Sequence, residues 1–488
     1  MLAPNAPSRS KFWLALTGSM RLADLISLRY LLLRVSTAAG AFAMGFVQTF
    51  VFARVLTPDR FSIFIVVGAI GYTLWLTDLG LAKILFVNLR ASHLTGKADE
   101  QAAREATAVI LFYVLLAIGM AVACFLIGAA HPAAALRDSA ELALFMLYIT
   151  LNLAWFSLRS VSISVDLYVF YERLELTRRF VTIAMMLAIL GGVPFTGFLI
   201  GVNVLWALLL SAATANLVRR GAMVASVRGF IHDLLSFFRS HKESILRSGT
   251  GALSGVFVVT FPYYFVPAMY GLGAAPIILE ATMRIFRGGS VVYAAATDLA
   301  IPGQTRALAQ RDLRRMVRTT LFAAGLCCIP ALFACAVLIF AGGPFFRFLL
   351  KSAATVPPGI VPILVVLMLA NVVQMVSESL LQHTGYFRSL GRIGVIVAVV
   401  MVAATAVSFF ARFDIVEFLA AYTAVFTMSA VLLAIAAVCG PIRAAARPGE
   451  AQRLQALFRA FHSGPPAPSA IPVRQGTAHR IPQPSQNP

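Results

Sequence analysis

Six basic side chains, Arg34, Arg54, Lys83, Arg159, Arg284 and Arg287, fall inside stretches of sequence that are otherwise apolar. A cation at the centre of a bilayer costs about 2.5–3.5 kcal/mol on insertion scales, so it faces a protein interior or a wet cavity rather than lipid. Several cations aimed at one cavity suit an anionic cargo. The densest group is Glu280, Arg284, Arg287 and Asp298, separated by 4, 3 and 11 residues. At about 100° per residue these four fall within roughly 60° of one another on one helical face. Two readings stay open. One is an internal ladder of ion pairs, Glu280 with Arg284 and Arg287 with Asp298. The other is a cavity wall of net cationic character that grips an anionic group.

The same theme recurs more weakly elsewhere. Asn152, Arg159 and Asp166 are heptad-spaced and share a face. Asp78 and Lys83 are five apart, about 140° around a helix, so each needs a partner from another helix, or water. Asn371, Glu378 and Gln382 share another face. An embedded carboxylate can relay protons, which makes Glu378 a candidate coupling site beside the plainer reading of a structural hydrogen bond or ion pair. Arg34 and Arg54 sit near opposite ends of the first apolar stretch, where snorkelling to the headgroups and a cavity role are equally open. Between them Ser36, Thr37, Ala38, Ala39, Gly40, Ala41 and Gly45 allow close helix packing. Pro262 and Pro267 can kink a later stretch.

The elements that must position these groups are membrane spans. The chain is 60% hydrophobic and 12% charged, with a mean hydropathy of +0.85. This excludes a soluble enzyme and indicates an integral membrane protein. Spans are expected at about 31–56, 61–89, 105–130, 140–166, 180–195, 197–218, 248–270, 274–301, 317–341, 359–384, 391–411 and 415–439. The fifth is the shortest and ends at Gly191-Gly192-Val193-Pro194. The expected fold is an all-α polytopic protein with about twelve transmembrane helices in two six-helix lobes around a central cavity. A cytoplasmic N-terminal segment (1–30) carries a candidate interfacial helix over 11–29. The lobes are 31–218 and 248–439, joined by a basic amphipathic linker at 219–247. Residues 440–488 form a cytoplasmic tail, with a candidate basic surface helix at 450–461 and a disordered, proline-rich end. The shared rhythm of the lobes implies a parallel repeat about an axis along the membrane normal.

Of the 40 Lys and Arg, 29 fall on the segments placed inside and five on outer loops, which orients both termini inward. Most of the net charge of +20 then lies at the cytoplasmic face, where anionic lipids attract it. No nucleic-acid-binding fold carries it. The five cysteines read as small apolar packing residues, with no metal spacing and no cofactor motif. No phosphate-cradling loop, zinc-binding helix or catalytic triad is assembled, so no enzyme is indicated.

Residues 53–61, Ala-Arg-Val-Leu-Thr-Pro-Asp-Arg-Phe, with Thr77-Asp78-Leu79-Gly80-Leu81, resemble the opening of Wzx-type polysaccharide flippases of the multidrug/oligosaccharidyl-lipid/polysaccharide exporter superfamily. Leu381-Gln382-His383-Thr384-Gly385 and the basic loop after the eighth span are weaker echoes. An acidic residue expected in the seventh span is missing. The resemblance implies alternating access by two lobes and transfer of a polyprenyl-pyrophosphate-linked oligosaccharide across a bacterial inner membrane. Arg159, Arg284 and Arg287, with Lys83 and Arg34, would hold the pyrophosphate. Asp78, Glu280, Glu378 and Asp298 would serve coupling or ion pairing. Expected partners are the lipid-linked oligosaccharide, anionic lipids and the polysaccharide polymerase machinery, with the chain a monomer. The rivals are a cation-coupled multidrug or small-solute exporter of the same superfamily, a lipid II flippase, a major-facilitator carrier and a non-transporting membrane scaffold. The usual loop motif of the major-facilitator carriers is absent.

Overall fold

The computed structural model describes residues 22–74, 78, 81–95, 99–130, 136–226 and 228–445. The 11–21 part of the expected interfacial helix and the tail from 446 onward, including 450–461, lie outside the described residues. So do the side chains of Arg34 and Lys83.

The described chain is helical. The first lobe holds α1 (Leu22–Val55), α2 (Pro58–Thr73), α3 (Leu81–Thr95), α4 (Glu100–Ala130), α5 (Leu136–Ser164), α6 (Tyr168–Leu190) and α7 (Phe195–Arg219). Then follow α8 (Phe230–Thr260), α9 (Pro262–Tyr270), α10 (Ala274–Asp298), α11 (Ile301–Gln310), α12 (Leu313–Leu350), α13 (Ile360–His383), α14 (Phe387–Phe410) and α15 (Ile415–Ala437). These supply twelve crossings in two lobes of six, with α2 and α3 together forming the second, α8 and α9 the seventh, and α11 lying in an inner loop.

Local chemistry sets the element ends. Thr57 caps α2 and Pro58 occupies its first turn, where a missing N–H costs nothing. Asp414 and Glu417 form a reciprocal capping box at the start of α15. Pro262 stops the ladder of α8 and opens α9. Because α8 runs unbroken from Phe230 to Thr260, the linker segment is continuous with the seventh crossing. Its inner half is tied to the first lobe by Asn88 Nδ2 and His241 Nε2, 3.1 Å apart.

Equivalent turns recur in the two lobes. Between α5 and α6, Leu167 N–H donates to Ser162 O at 2.8 Å, and between α13 and α14 Tyr386 N–H donates to Leu381 O at 2.9 Å. The residues in between, Asp166 and Gly385, both have positive φ. The α6–α7 and α14–α15 turns match in the same way, with Val193 N–H on Ala188 O, Phe413 N–H on Ser408 O, and Gly192 and Arg412 at positive φ. These are helix C-terminal caps of one type, and the same cap ends α7 (Ala222 N–H on Leu217 O) and α11 (Asp312 N–H on Ala307 O).

Eight helices among the described residues are long and apolar enough to cross a membrane. The four crossings outside that set are the second, fifth, seventh and eighth. Two are each made of two described helices, α2 with α3 and α8 with α9. The other two, α6 and α10, carry buried charge. All four line the cavity between the lobes. Helix α1 runs between the lobes, packing on α6 in its own lobe and on α10 and α12 in the other.

Candidate functional site

The cavity has a volume of about 450 Å³ and is walled by α1, α2, α5, α6, α8, α9 and α10. Most of its wall is apolar or aromatic, including Phe52, Phe64, Phe145 and Tyr148. Into this wall are set four arginines and two neighbouring glutamates in two clusters, one per lobe.

The cluster of the second lobe sits on α10. Glu280 is the hub and is 4% exposed. Its Oε1 accepts from Arg284 Nε. Its Oε2 accepts from Arg287 Nη2 at 2.8 Å and from the Tyr263 hydroxyl at 2.7 Å. Arg287 also donates to the Tyr263 oxygen at 2.8 Å, and its guanidinium lies 5.1 Å from the centre of the Tyr72 ring. Arg284 Nη2 reaches across to Gln48 Oε1 on α1 at 3.1 Å. The ladder expected from spacing is therefore corrected: Arg287 pairs with Glu280, two turns back, and not with Asp298. Helical side chains lean toward the N-terminus, whereas eleven residues are about 16 Å of rise, beyond side-chain reach. Asp298 lies exposed at the far end of α10.

The cluster of the first lobe was not anticipated. The expected fifth span began at 180, which left Arg178 and Arg179 in a loop. The structure starts α6 at Tyr168, and Glu172, Glu175 and Arg178 are buried within it. Glu175 Oε2 accepts from Arg178 Nε and from Trp155 Nε1, both at 2.7 Å. Its Oε1 accepts from Arg178 Nη2 at 2.7 Å and pairs with Arg179. The Arg178 guanidinium packs 4.6 Å from the centre of the Trp206 ring. Arg178, Arg179, Arg284, Arg287 and Glu280 all line the cavity. With Glu175 counted in, the two clusters carry two positive charges in excess.

Small residues on α1 seat both clusters. A Cβ at Gly40 would lie 3.3 Å from Arg179 Cδ, and a Cβ at Gly45 would lie 3.3 Å from Arg284 Nη1. These glycines are about 7.5 Å apart along the helix axis. The small-residue stretch, expected to serve helix packing alone, makes room for one arginine from each lobe.

The remaining candidates fall elsewhere. Arg159 does not line the cavity; its Nη2 is 3.6 Å from Glu172 Oε1. Asp166 accepts from Arg90 at 2.8 Å and lies 3.2 Å from His93. The Arg90 hydrogen bond holds its carboxyl below the usual carboxylate range. Asp78 lies between α2 and α3 and accepts from Ala82 N–H and the Tyr113 hydroxyl, both at 3.2 Å. Asp78 stands ahead of α3, which begins at Leu81 and carries Lys83. Glu378 accepts from Gln382 at 2.8 Å. Arg54 does not line the cavity. It donates to Phe50 O on its own helix at 2.9 Å, and to Leu349 O at 3.1 Å and Phe348 O at 2.5 Å at the end of α12 in the other lobe.

No family model matches the chain, and no curated protein matches it by sequence. Solved structures do match in fold. A eukaryotic MATE transporter, AtDTX14, aligns with a TM-score of 0.57 at 13% identity, over 89% of this chain and 99% of its own. A mutant of the Vibrio cholerae MATE transporter VcmN gives 0.57 at 13% identity, over 89% and 97%. An inward-facing multidrug resistance MATE family transporter of the MOP superfamily gives 0.56 at 11% identity, over 88% and 99%. The chain is thus similar in fold to the MATE transporters of the MOP superfamily, with twelve crossings in two lobes and its charged clusters facing one cavity between them.

Proposed function

We propose that this protein is a membrane transporter that carries an anionic amphiphile, a polyprenyl-pyrophosphate-linked oligosaccharide, across a bacterial inner membrane for surface or exopolysaccharide synthesis. The observation that carries this reading is the cavity charge: four guanidinium groups against two carboxylates, set in an apolar wall. Guanidinium forks match phosphate oxygens in pairs, and a low-dielectric wall strengthens each contact. Arg284 and Arg287 grip the pyrophosphate, Arg179 approaches it from the other lobe, and Glu280 holds the first two arginines in place until the anion arrives. The sugar crosses inside the cavity while the lobes rock, and the lipid tail stays in the bilayer. Anionic lipids at the basic inner face and the polymerase machinery are the proposed partners, and the unit is a monomer.

A second reading is a multidrug exporter, favoured by the likeness in fold to the inward-facing multidrug resistance MATE family transporter. Cavity charge separates the two, because a net cationic wall repels cationic drugs. The deciding experiment deletes the gene in its host and measures lipid-linked oligosaccharide together with surface polysaccharide. Accumulation of the lipid-linked repeat with loss of the surface glycan is expected, and wild-type protein restores both. Restoration by Arg284→Ala/Arg287→Ala at wild-type membrane levels would overturn the role of the cavity arginines. Unchanged glycans accompanied by drug sensitivity would favour the exporter.

A further inference from the structure

The outer end of the bundle holds a contact that the transport site does not use. A helix leaves its last four carbonyls without intrahelical partners. In α12 these belong to Arg347, Phe348, Leu349 and Leu350. Lys351 N–H donates to Arg347 O at 2.9 Å, and Ala353 N–H donates to Leu350 O at 3.0 Å. The middle two, Phe348 O and Leu349 O, accept from Arg54 at the end of α1. The end of α12 is therefore completed by a cation from the other lobe, which is also the sign the helix dipole favours there. The central carbon of the guanidinium lies 3.4 Å from the centre of the Phe50 ring, and the Phe50 and Phe348 rings lie 5.1 Å apart.

A second contact crosses the lobes at the same end. Gly273 N–H donates to Ser62 Oγ at 2.9 Å, and Ser62 Oγ donates to Gly273 O at 2.8 Å. Gly273 has φ +125°, a conformation that other residues rarely adopt. Loop-charge orientation puts both contacts on the outer side.

We propose that Arg54 is the latch of the outer gate. Its two bonds to the α12 carbonyls hold the lobes together outside, and opening outward requires their release. The Ser62–Gly273 pair is the second point of closure, and it parts when the latch does. Arginine suits the task because one planar fork spans two successive carbonyls, whereas an ammonium supplies a single charged point.

The test is amide hydrogen exchange on the full chain in lipid nanodiscs, without cargo, so its result is independent of the transport reading. The reporter is the peptide containing Gly273, whose N–H is bonded across the lobes. Arg54→Ala is expected to speed its exchange about tenfold, as lobe separation becomes easier. Arg54→Lys is expected to give a smaller acceleration, and it decides the matter if the alanine variant does not fold. Faster exchange confined to residues near 346–353, with the Gly273 peptide at its wild-type rate, would show a local helix cap and overturn the latch. Wild-type exchange throughout would overturn it as well.

Discussion

The two charged clusters use the same residue types in opposite ways. In the first lobe, Glu175, Arg178, Trp155 and Trp206 all belong to one lobe, and the Arg178 side chain is 4% exposed. In the second lobe, Arg284 and Arg287 are 16% and 21% exposed and extend to Gln48 and Tyr72 of the first. One cluster is a closed brace, with Arg179 as its accessible edge. The other bridges the lobes and keeps its guanidinium groups available to the cavity. Relative movement of the lobes leaves the first intact and must break contacts of the second. Burial alone therefore does not separate a brace from a bridging site; the lobe to which the partners belong does.

The largest expected effect tests the brace. Glu175→Ala leaves Arg178 and Arg179 without their shared carboxylate, and an uncompensated buried charge costs about 3–5 kcal/mol. Glu280→Ala should cost less, about 1–3 kcal/mol, because Arg284 and Arg287 retain Gln48, Tyr263 and the cavity. Equilibrium unfolding of both purified variants measures the gap, and equal losses would break the comparison. The next effect is on transport. Arg284→Ala/Arg287→Ala should lower cargo movement at least about 30-fold with protein levels unchanged, given about 2–5 kcal/mol per lost buried charge contact. Arg178→Ala should instead reduce the folded protein recovered. Transport assays scaled to protein amount distinguish the two. Arg287→Lys keeps the charge and loses the fork, with an expected loss of about tenfold.

Sequence reading located α10 and its charged face because an amphipathic helix with polar residues on one side is visible at helical spacing. It missed the partner cluster for the converse reason. Residues 172–179, Glu-Arg-Leu-Glu-Leu-Thr-Arg-Arg, look like a solvated inner loop when spans are recognised by apolarity. Yet the buried positions of α6, Tyr171, Glu172, Glu175, Arg178, Thr182, Met186 and Ile189, keep helical spacing without interruption. Their burial is a property of the fold, which span recognition by apolarity does not see. Arg54 was out of reach for another reason, because its partners in the other lobe are main-chain carbonyls 294 and 295 residues away, and backbone acceptors leave no mark on a sequence.

The smallest expected effect is the most selective. Gln48 makes the side-chain bond between α1 and the second cluster, and Gln48→Ala removes one hydrogen bond while leaving all four arginines and both glutamates in place. A bond of this kind contributes about 1 kcal/mol, or about fivefold in an equilibrium. Because that bond joins the two lobes, its loss should move the balance between lobe arrangements about fivefold, with little change in overall stability. Single-molecule distance measurements between a label on α4 and one on α14 would read the shift directly. Gly40→Ala is the matched control on the same helix. It crowds Arg179, whose cluster lies within one lobe, so it should change stability and leave the lobe balance where it was. A lobe shift in the Gly40 variant, or none in the Gln48 variant, would mean that the two clusters do not divide the work between bracing and bridging.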